Sequence, residues 1–345
     1  MEVLSREEWE TRAASHRARL APYVDPHLAR RAAGVKHPVH DFLFTYYSQR
    51  PAQLLRWHPG FGVALADADP YASLKGYAPV PPGLDTPSPS GSGYSTSEAV
   101  GGRVASASEA VGGRVASASE AVGGRVASAS ERIETPTVAV SPTYLATQRV
   151  LLETLLRLLR ATAARPGNFG CFGMHEWAMV YRADATRHAV PLRLGGPATD
   201  TVVESHRVAC SHFDAFRFFT PDAVPLNALS PSSTDREVFE QPGCLHGGMD
   251  LYKHAFRLTP LIPSDLAADA FELAWDIRIL DMRAAPYDMS GVVLDPTGEP
   301  WTPVEVETPD GKREYADLQR RHSERAAPLR QRLIEECERL LAVSD

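Results

Sequence analysis

Long apolar runs are missing from this 345-residue chain. No stretch approaches the roughly 18–20 apolar residues that cross a bilayer, so no membrane partner is expected. Cysteine is scarce, and four thiols in this length are too few for a disulfide scaffold. They read as free thiols or, less simply, as metal ligands. Excess positive charge is also lacking. A net charge of −7 and a pI near 6.0 argue mildly against tight non-specific nucleic-acid binding, which needs cations to neutralise phosphate. Arginine far outnumbers lysine, however, and a local arginine-rich face remains compatible with that balance. The reactive motifs that are absent narrow the chemistry further. There is no Gly-x-Ser-x-Gly elbow, no phosphate-binding Gly-x-x-x-x-Gly-Lys-Ser/Thr loop, no Gly-x-Gly-x-x-Gly after a strand and no His-Glu-x-x-His. Nucleophilic-serine, nucleotide-driven and dinucleotide chemistry are therefore disfavoured. The start, MEVLSREEWE, is acidic and polar, without the basic start and apolar core of a signal peptide, so a cytoplasmic location is expected.

What is present has the balance of a soluble globular protein, with 43% hydrophobic and 23% charged residues. SEAVGGRVASA occurs three times in tandem, beginning at Ser97, Ser108 and Ser119. A Gly-Gly pair in every unit opposes a stable helix, and each unit carries almost nothing large enough to build a core. With the Pro- and Ser-rich stretch before it, this reads as a disordered low-complexity insert over 79–136. Residues 1–78 and 137–345 are expected to form one globular domain around it, mainly α with a few short strands, an α+β chain.

Several helices are legible. Ser5-Arg6-Glu7-Glu8 is a capping box that opens a helix to about Leu20, with a second short helix near Pro26–Ala33. RPAQLLRW reads as a short helix. Ser141-Pro142 caps a strong leucine-rich helix over 144–163, which the Arg165-Pro166-Gly167 stop ends. PSDLAADAFELAWDIRILDMR reads as a helix capped by Ser264, and the segment from Arg313 onward as one or two helices that Pro328 breaks or restarts. AVPLRL and TVVESHRVA are weakly strand-like.

Reactive side chains gather in KHPVHD, GMHEW, ESHRVACSHFDAF and PGCLHGGMDLYKHA, all beside Gly, Pro or aromatics, the composition of pocket rims. Four carboxylates are candidates for acid–base work: Glu176, Glu204, Asp214 and Asp250. Glu176, between His175 and Trp177, best fits a carboxyl group set among rings. Two Cys-x-His pairs, Cys210 with His212 and Cys244 with His246, offer a weak zinc signal, since paired ligands usually stand further apart. No cofactor is otherwise expected. His246, Asp250 and His254 share one face if a helix starts before His246, but Gly247-Gly248 suggests a start after it. The run FDAFRFF, from Phe213 to Phe219, mixes four phenylalanines with Asp214 and Arg217, and serves either as core or as a stacking surface. The stretch GNFGCFGMHEWAMVYR reads as a pocket wall, its glycines allowing close backbone approach.

Taken together, HPVHDFLFTYYSQRPAQLLRWHPG, GNFGCFGMHEWAMVYR, VVESHRVACSHFDAFRFFTP, EQPGCLHGGMDLYKHAFRLTPLIPSDL and LDMRAAPYD resemble a bacterial, largely actinobacterial family named 3-methyladenine DNA glycosylase. The resemblance covers about Gly34–Asp67 and Val138–Glu336 and leaves out the repeats. It implies excision of alkylated purines from damaged DNA, by stacking a flipped base on aromatics and stabilising an oxocarbenium-like sugar with a carboxylate. No helix-hairpin-helix with a following Asp is found, so the site residues rest on their own chemistry. Glu176, Asp214 and Asp250 are the catalytic candidates. Trp177, Tyr181, Phe213 and Tyr252 are candidates for stacking, with His175 and His206 beside them. Arg207, Arg217 and Lys253 are candidates for phosphate or carboxylate contact. Two other readings stand beside this one. A metal-dependent or small-molecule enzyme would rely on His175, His206, Cys210, His212, Cys244 and His246, and a non-catalytic protein would simply hold a ligand. No obligate protein partner is inferred.

Overall fold

The computed structural model describes residues 1–47, 50–80, 136–184, 186 and 190–344. The three repeats fall outside them. Mainly helical, as expected, the chain begins with β1 (Glu2–Leu4) and α1 (Arg6–Ala32). Ser5 caps α1 reciprocally, its backbone N–H donating to Glu8 Oε2 at 2.8 Å. The two helices expected before residue 34 are one. Pro22 and Pro26 each remove an N–H bond, yet the buried face runs on through Trp9, His16, Leu20, Val24 and His27. Continuous packing on that stripe outweighs the lost bonds.

α2 (Phe42–Thr45) and α3 (Pro51–Leu54) follow, then β2 (Val63–Leu65), α4 (Asp69–Ala72) and β3 (Tyr77–Pro79). β4 (Val138–Val140) lies beyond the insert. The four strands form one sheet in the order β1-β2-β4-β3, with β1 and β2 parallel and the other neighbours antiparallel. Pro79 pairs with Val138, and Val80 N–H donates to Thr137 O at 2.8 Å. The insert thus leaves and re-enters the fold at adjacent positions of one ladder.

α5 (Pro142–Thr147) and α6 (Arg149–Ala163) divide the leucine-rich segment at Gln148, where ψ is 1°. After α7 (Met174–Ala178), α8 (Gly195–Glu204) contains Thr201-Val202-Val203-Glu204, which the β-branched residues suggested as strand. Thr199 and Val203 are both buried one helical turn apart, and that packing decides in favour of helix. Of AVPLRL, the described residues contribute an isolated bridge between Leu192 and Tyr287. Short α9 (Phe213–Phe216) and α10 (Arg236–Phe239) lead to α11 (Leu245–Leu258), α12 (Ser264–Ala284) and α13 (Pro309–Ser344). α12 is the central helix, packed by α1, α11 and α13 and buried on most sides through Leu266, Phe271, Trp275, Ile277 and Leu280. Its cap position is Pro263 rather than Ser264. The Ser264 hydroxyl instead accepts from His58 N–H at 2.7 Å, tying α12 to the segment after α3. α13 runs unbroken through Pro328.

Candidate functional site

Two consecutive left-handed residues, Phe172 (φ 46°) and Gly173 (φ 66°), turn the chain into α7. A non-glycine residue in that region is strained and persists only where its surroundings hold it. The turn places His175, Glu176 and Trp177 in the interior, against α12. Opposite them lies the first turn of α11. Its start at Leu245 precedes His246, so Gly247 and Gly248 are helical. The expectation that glycine would delay the helix fails because Gly248 is a contact point: a Cβ there would stand 2.7 Å from Ile277 Cδ1. The absent side chain is what lets α11 approach α12.

Between these elements lies a cleft of about 390 Å³ lined by Phe42, Tyr46, Glu176, Met179, Asp214, Phe218, His246 and Arg278. Phe42 stacks on Tyr46 with centroids 4.7 Å apart, and the Arg278 guanidinium lies 4.1 Å from the Phe42 ring centroid. Arg278 Nη1 donates to Asp281 Oδ2 at 2.6 Å and stands 3.4 Å from Glu176 Oε1. The other Asp281 oxygen takes His175 Nε2 at 2.9 Å. Burial alone would raise the Asp281 carboxyl, but His175 and Arg278 outweigh it and hold the group below the usual carboxylate range. Burial likewise opposes charging of His175, and the Asp281 carboxylate overcomes it, so this imidazole titrates higher than normal. The His246 ring meets His175 edge-on at 4.5 Å and stacks over His212 at 5.4 Å. Burial pushes His246 down to about 3, so it is neutral at physiological pH.

A second polar group abuts the first. Lys253 Nζ binds Asp214 Oδ2 at 3.0 Å and lies 3.5 Å from Asp250 Oδ2. Arg236 Nη2 donates to Asp250 at 2.7 Å, and Tyr47 Oη to its other oxygen at 3.0 Å. Burial opposes ionisation of Asp250, and His212, Lys253 and Arg236 overcome that opposition. His212 itself is held down to about 4 by burial and is neutral at pH 7, so Lys253 and Arg236 do most of the holding there. For Asp214, too, burial works upward and Lys253 brings the carboxyl below its ordinary value.

Of the predicted residues, Glu176 and Asp214 line the cleft, and Arg217 reaches towards its mouth, with Nη2 3.5 Å from Tyr46 Oη. His175, Asp250 and Lys253 stand behind them. Asp250 is thus a positioning residue for Lys253 and Arg236, not a group facing the cleft. Six of the expected stacking or contact residues are elsewhere. Trp177 is fully buried and donates from Nε1 to Ala284 O at 2.9 Å. Tyr252 packs edge-on to Phe271 and Phe256 in the core. Tyr181 donates to the exposed Glu204 at 2.8 Å, away from the cleft, which removes Glu204 as well. Phe213 does not line the cleft. His206 is turned onto Val202 O at 2.6 Å, and Arg207 is exposed. The aromatic walls are Phe42, Tyr46 and Phe218 instead. Phe42 and Tyr46 come from the ring-dense DFLFTYY run, while Arg278 and Asp281, three apart and the two buried charged residues of α12, carried a signal that sequence reasoning passed over.

Among the described residues, the side chains close enough to share a cation are His175 with His246 and Asp281, His212 with Asp214 and Asp250, and His37 with His40 and Asp295. The four zinc candidates do not form one of these groups: His212 and His246 fall in different ones. The Cys210 thiol donates to His212 O at 3.6 Å and burial pushes it up to about 12, while burial raises Cys244 as well. Among the described residues, no helix is long and apolar enough to cross a membrane. No family model, curated protein or solved structure matches the chain.

Proposed function

We propose that the chain is an N-glycosidic hydrolase that excises an alkylated purine, 3-methyladenine in the first instance, from damaged DNA. The observation that carries this reading is the cleft itself. Three aromatic rings, Phe42, Tyr46 and Phe218, share it with two carboxylates, Glu176 and Asp214. A flat cationic base suits such walls by stacking and cation–π attraction. As the C1′–N bond breaks, positive charge grows on the sugar, and a fixed carboxylate stabilises it. Asp214, kept ionised by Lys253, suits that task. Glu176, held only at 3.4 Å by Arg278, suits the orientation of the water whose oxygen bonds to C1′.

The surface beside the cleft supports a polyanionic substrate despite the acidic net charge. The segment from Asp41 to Tyr47 borders two further hollows. One is lined by Arg31, Lys36 and Arg50, the other by Arg56, Lys75 and Arg257. None of these six cations has an ion-pair partner among the described residues, and the second hollow also carries Tyr47, Tyr144 and Phe256. Exposed unpaired cations in hollows that border the same segment as a base-sized cleft suit phosphodiester contact.

The test is release of methylated purine from N-methylated duplex DNA by the purified full chain. Glu176→Gln and Asp214→Asn should each lower the rate by about 100-fold or more while the circular dichroism melt stays in place. Failure of the folded wild type to release base from duplex or single-stranded DNA sinks the proposal.

A further inference from the structure

We infer that His175, His246 and Asp281 form a binding site for one divalent transition metal, of which Zn²⁺ suits the donors. One ligand atom from each lies within 4.8 Å of the others, and all three residues are buried. His175 Nε2 and Asp281 Oδ1 already stand 2.9 Å apart, close to the edge between two ligands on an ion about 2.0–2.2 Å from each. Two imidazoles and one carboxylate are a borderline donor set that suits zinc, iron or manganese better than calcium or magnesium.

Comparison with the other two groups singles this one out. In the group of His212, Asp214 and Asp250, Arg236 and Tyr47 take the two Asp250 oxygens at 2.7 and 3.0 Å and Lys253 holds Asp214 at 3.0 Å, so residues outside the group already occupy both carboxylates. In the third, both His37 ring nitrogens are engaged, Nε2 with Val293 O at 2.9 Å and Nδ1 with backbone N–H groups, and His40 Nε2 accepts from Asp295 N–H at 3.0 Å. The His246 side chain makes no hydrogen bond to any described residue, although only 7% of it is exposed. The two His212 ring nitrogens are also without a hydrogen bond, but they face Glu240 at 3.5 Å and Asp250 at 3.6 Å. His246 has no described carboxylate within ion-pair distance and lines the cleft, which leaves its ring open to a ligand from that side.

The surroundings have the form of an outer shell. Arg278 fixes the second Asp281 oxygen at 2.6 Å, as metal-ligating carboxylates are commonly fixed. Arg278 and a protonated His175 would just balance Asp281 and Glu176. A divalent ion replacing that proton leaves one positive charge, which hydroxide or an anion on the cleft side offsets. His246 and Glu176 both line the cleft, so the fourth position opens towards it, the arrangement of a metal that takes water or ligand. Binding at this site stands independently of the glycosylase proposal, and its readout does not depend on any activity.

The experiment is calorimetric titration of Zn²⁺ into the chelator-stripped full chain, with Co²⁺ absorption as a second probe. One equivalent should bind, and His246→Ala should weaken it by about 100-fold or more, since a direct ligand matters at least as much as its outer-shell support. His246 holds no hydrogen bond, so this variant is expected to fold; His246→Gln serves if it does not. Cys244→Ser and His40→Gln should leave the affinity unchanged. Failure of the wild type to bind, unaltered affinity in both His246 variants, or loss of binding in Cys244→Ser overturns the assignment.

Discussion

Asp281 is fully buried and accepts from a guanidinium on one oxygen and an imidazole on the other. Asp281→Asn keeps the shape but removes the charge, leaving Arg278 buried with only Glu176 at 3.4 Å. Breaking such a pair from one side costs about 3–5 kcal/mol, so urea unfolding should shift by that order. Trp177→Ala should cost a similar amount, about 3–5 kcal/mol, through the cavity left in the core, and should not act as the loss of a stacking residue. At this scale the sequence was readable only in part. Glu176 and Asp214 stood out because a carboxylate between rings is costly unless it has a task. Trp177 and Tyr252 carried the same local signal yet belong to the core, because an aromatic neighbour looks alike in a pocket or under one. Arg278 and Asp281 were overlooked because their partners come from α7, about 100 positions away along the chain.

Where α11 meets α12, Gly248 leaves room for the Ile277 side chain. In Gly248→Ala the new Cβ meets Ile277 Cδ1, so the helices must separate or the isoleucine must leave its rotamer. A loss of about 1–3 kcal/mol is expected in thermal or urea unfolding, against the gain that alanine normally brings to a helix interior. Because His246 sits one position before the glycine pair, the same change should also shift the cleft, visible as altered histidine chemical shifts. Long helices were legible from their apolar spacing and caps, as with Ser5 and Ser141. Their limits were not: continuous burial carries α1 through Pro22 and Pro26, and Ser264 spends its hydroxyl on His58 rather than on the cap. The four strands of the larger sheet span three residues each, too short for alternation to show before the partners are known.

The molecule as a whole stores several neutral histidines in its interior. Burial holds His40, His58, His246 and His254 down to about 3 and His212 to about 4. Unfolded histidine takes up its proton near pH 6.5, so below that pH the unfolded chain binds more protons and stability falls as pH falls. Each such group lowers the stability of the fold progressively as pH falls from roughly 6 towards its folded value. Asp281 adds to the loss only below about pH 4, as its depressed carboxyl begins to differ from the unfolded one. His175 acts in the opposite direction: its raised value stabilises the fold below pH 6.5 and loses that effect above its folded value. Urea midpoints measured between pH 7.5 and 4.5 should therefore drop steeply, and a flat profile would contradict the buried neutral set.

The pairing of Pro79 with Val138 closes the chain on either side of the repeats before any repeat begins. Loop closure depends on the logarithm of loop length, so removing Ser97–Ala129 should alter stability by less than about 1 kcal/mol, measurable as a nearly unchanged melt. Whole eleven-residue units can then be copied or dropped without disturbing the register of this ladder, as in a zip fastened below a pocket of any depth. A change in the number of units would then leave the chemistry of the cleft untouched.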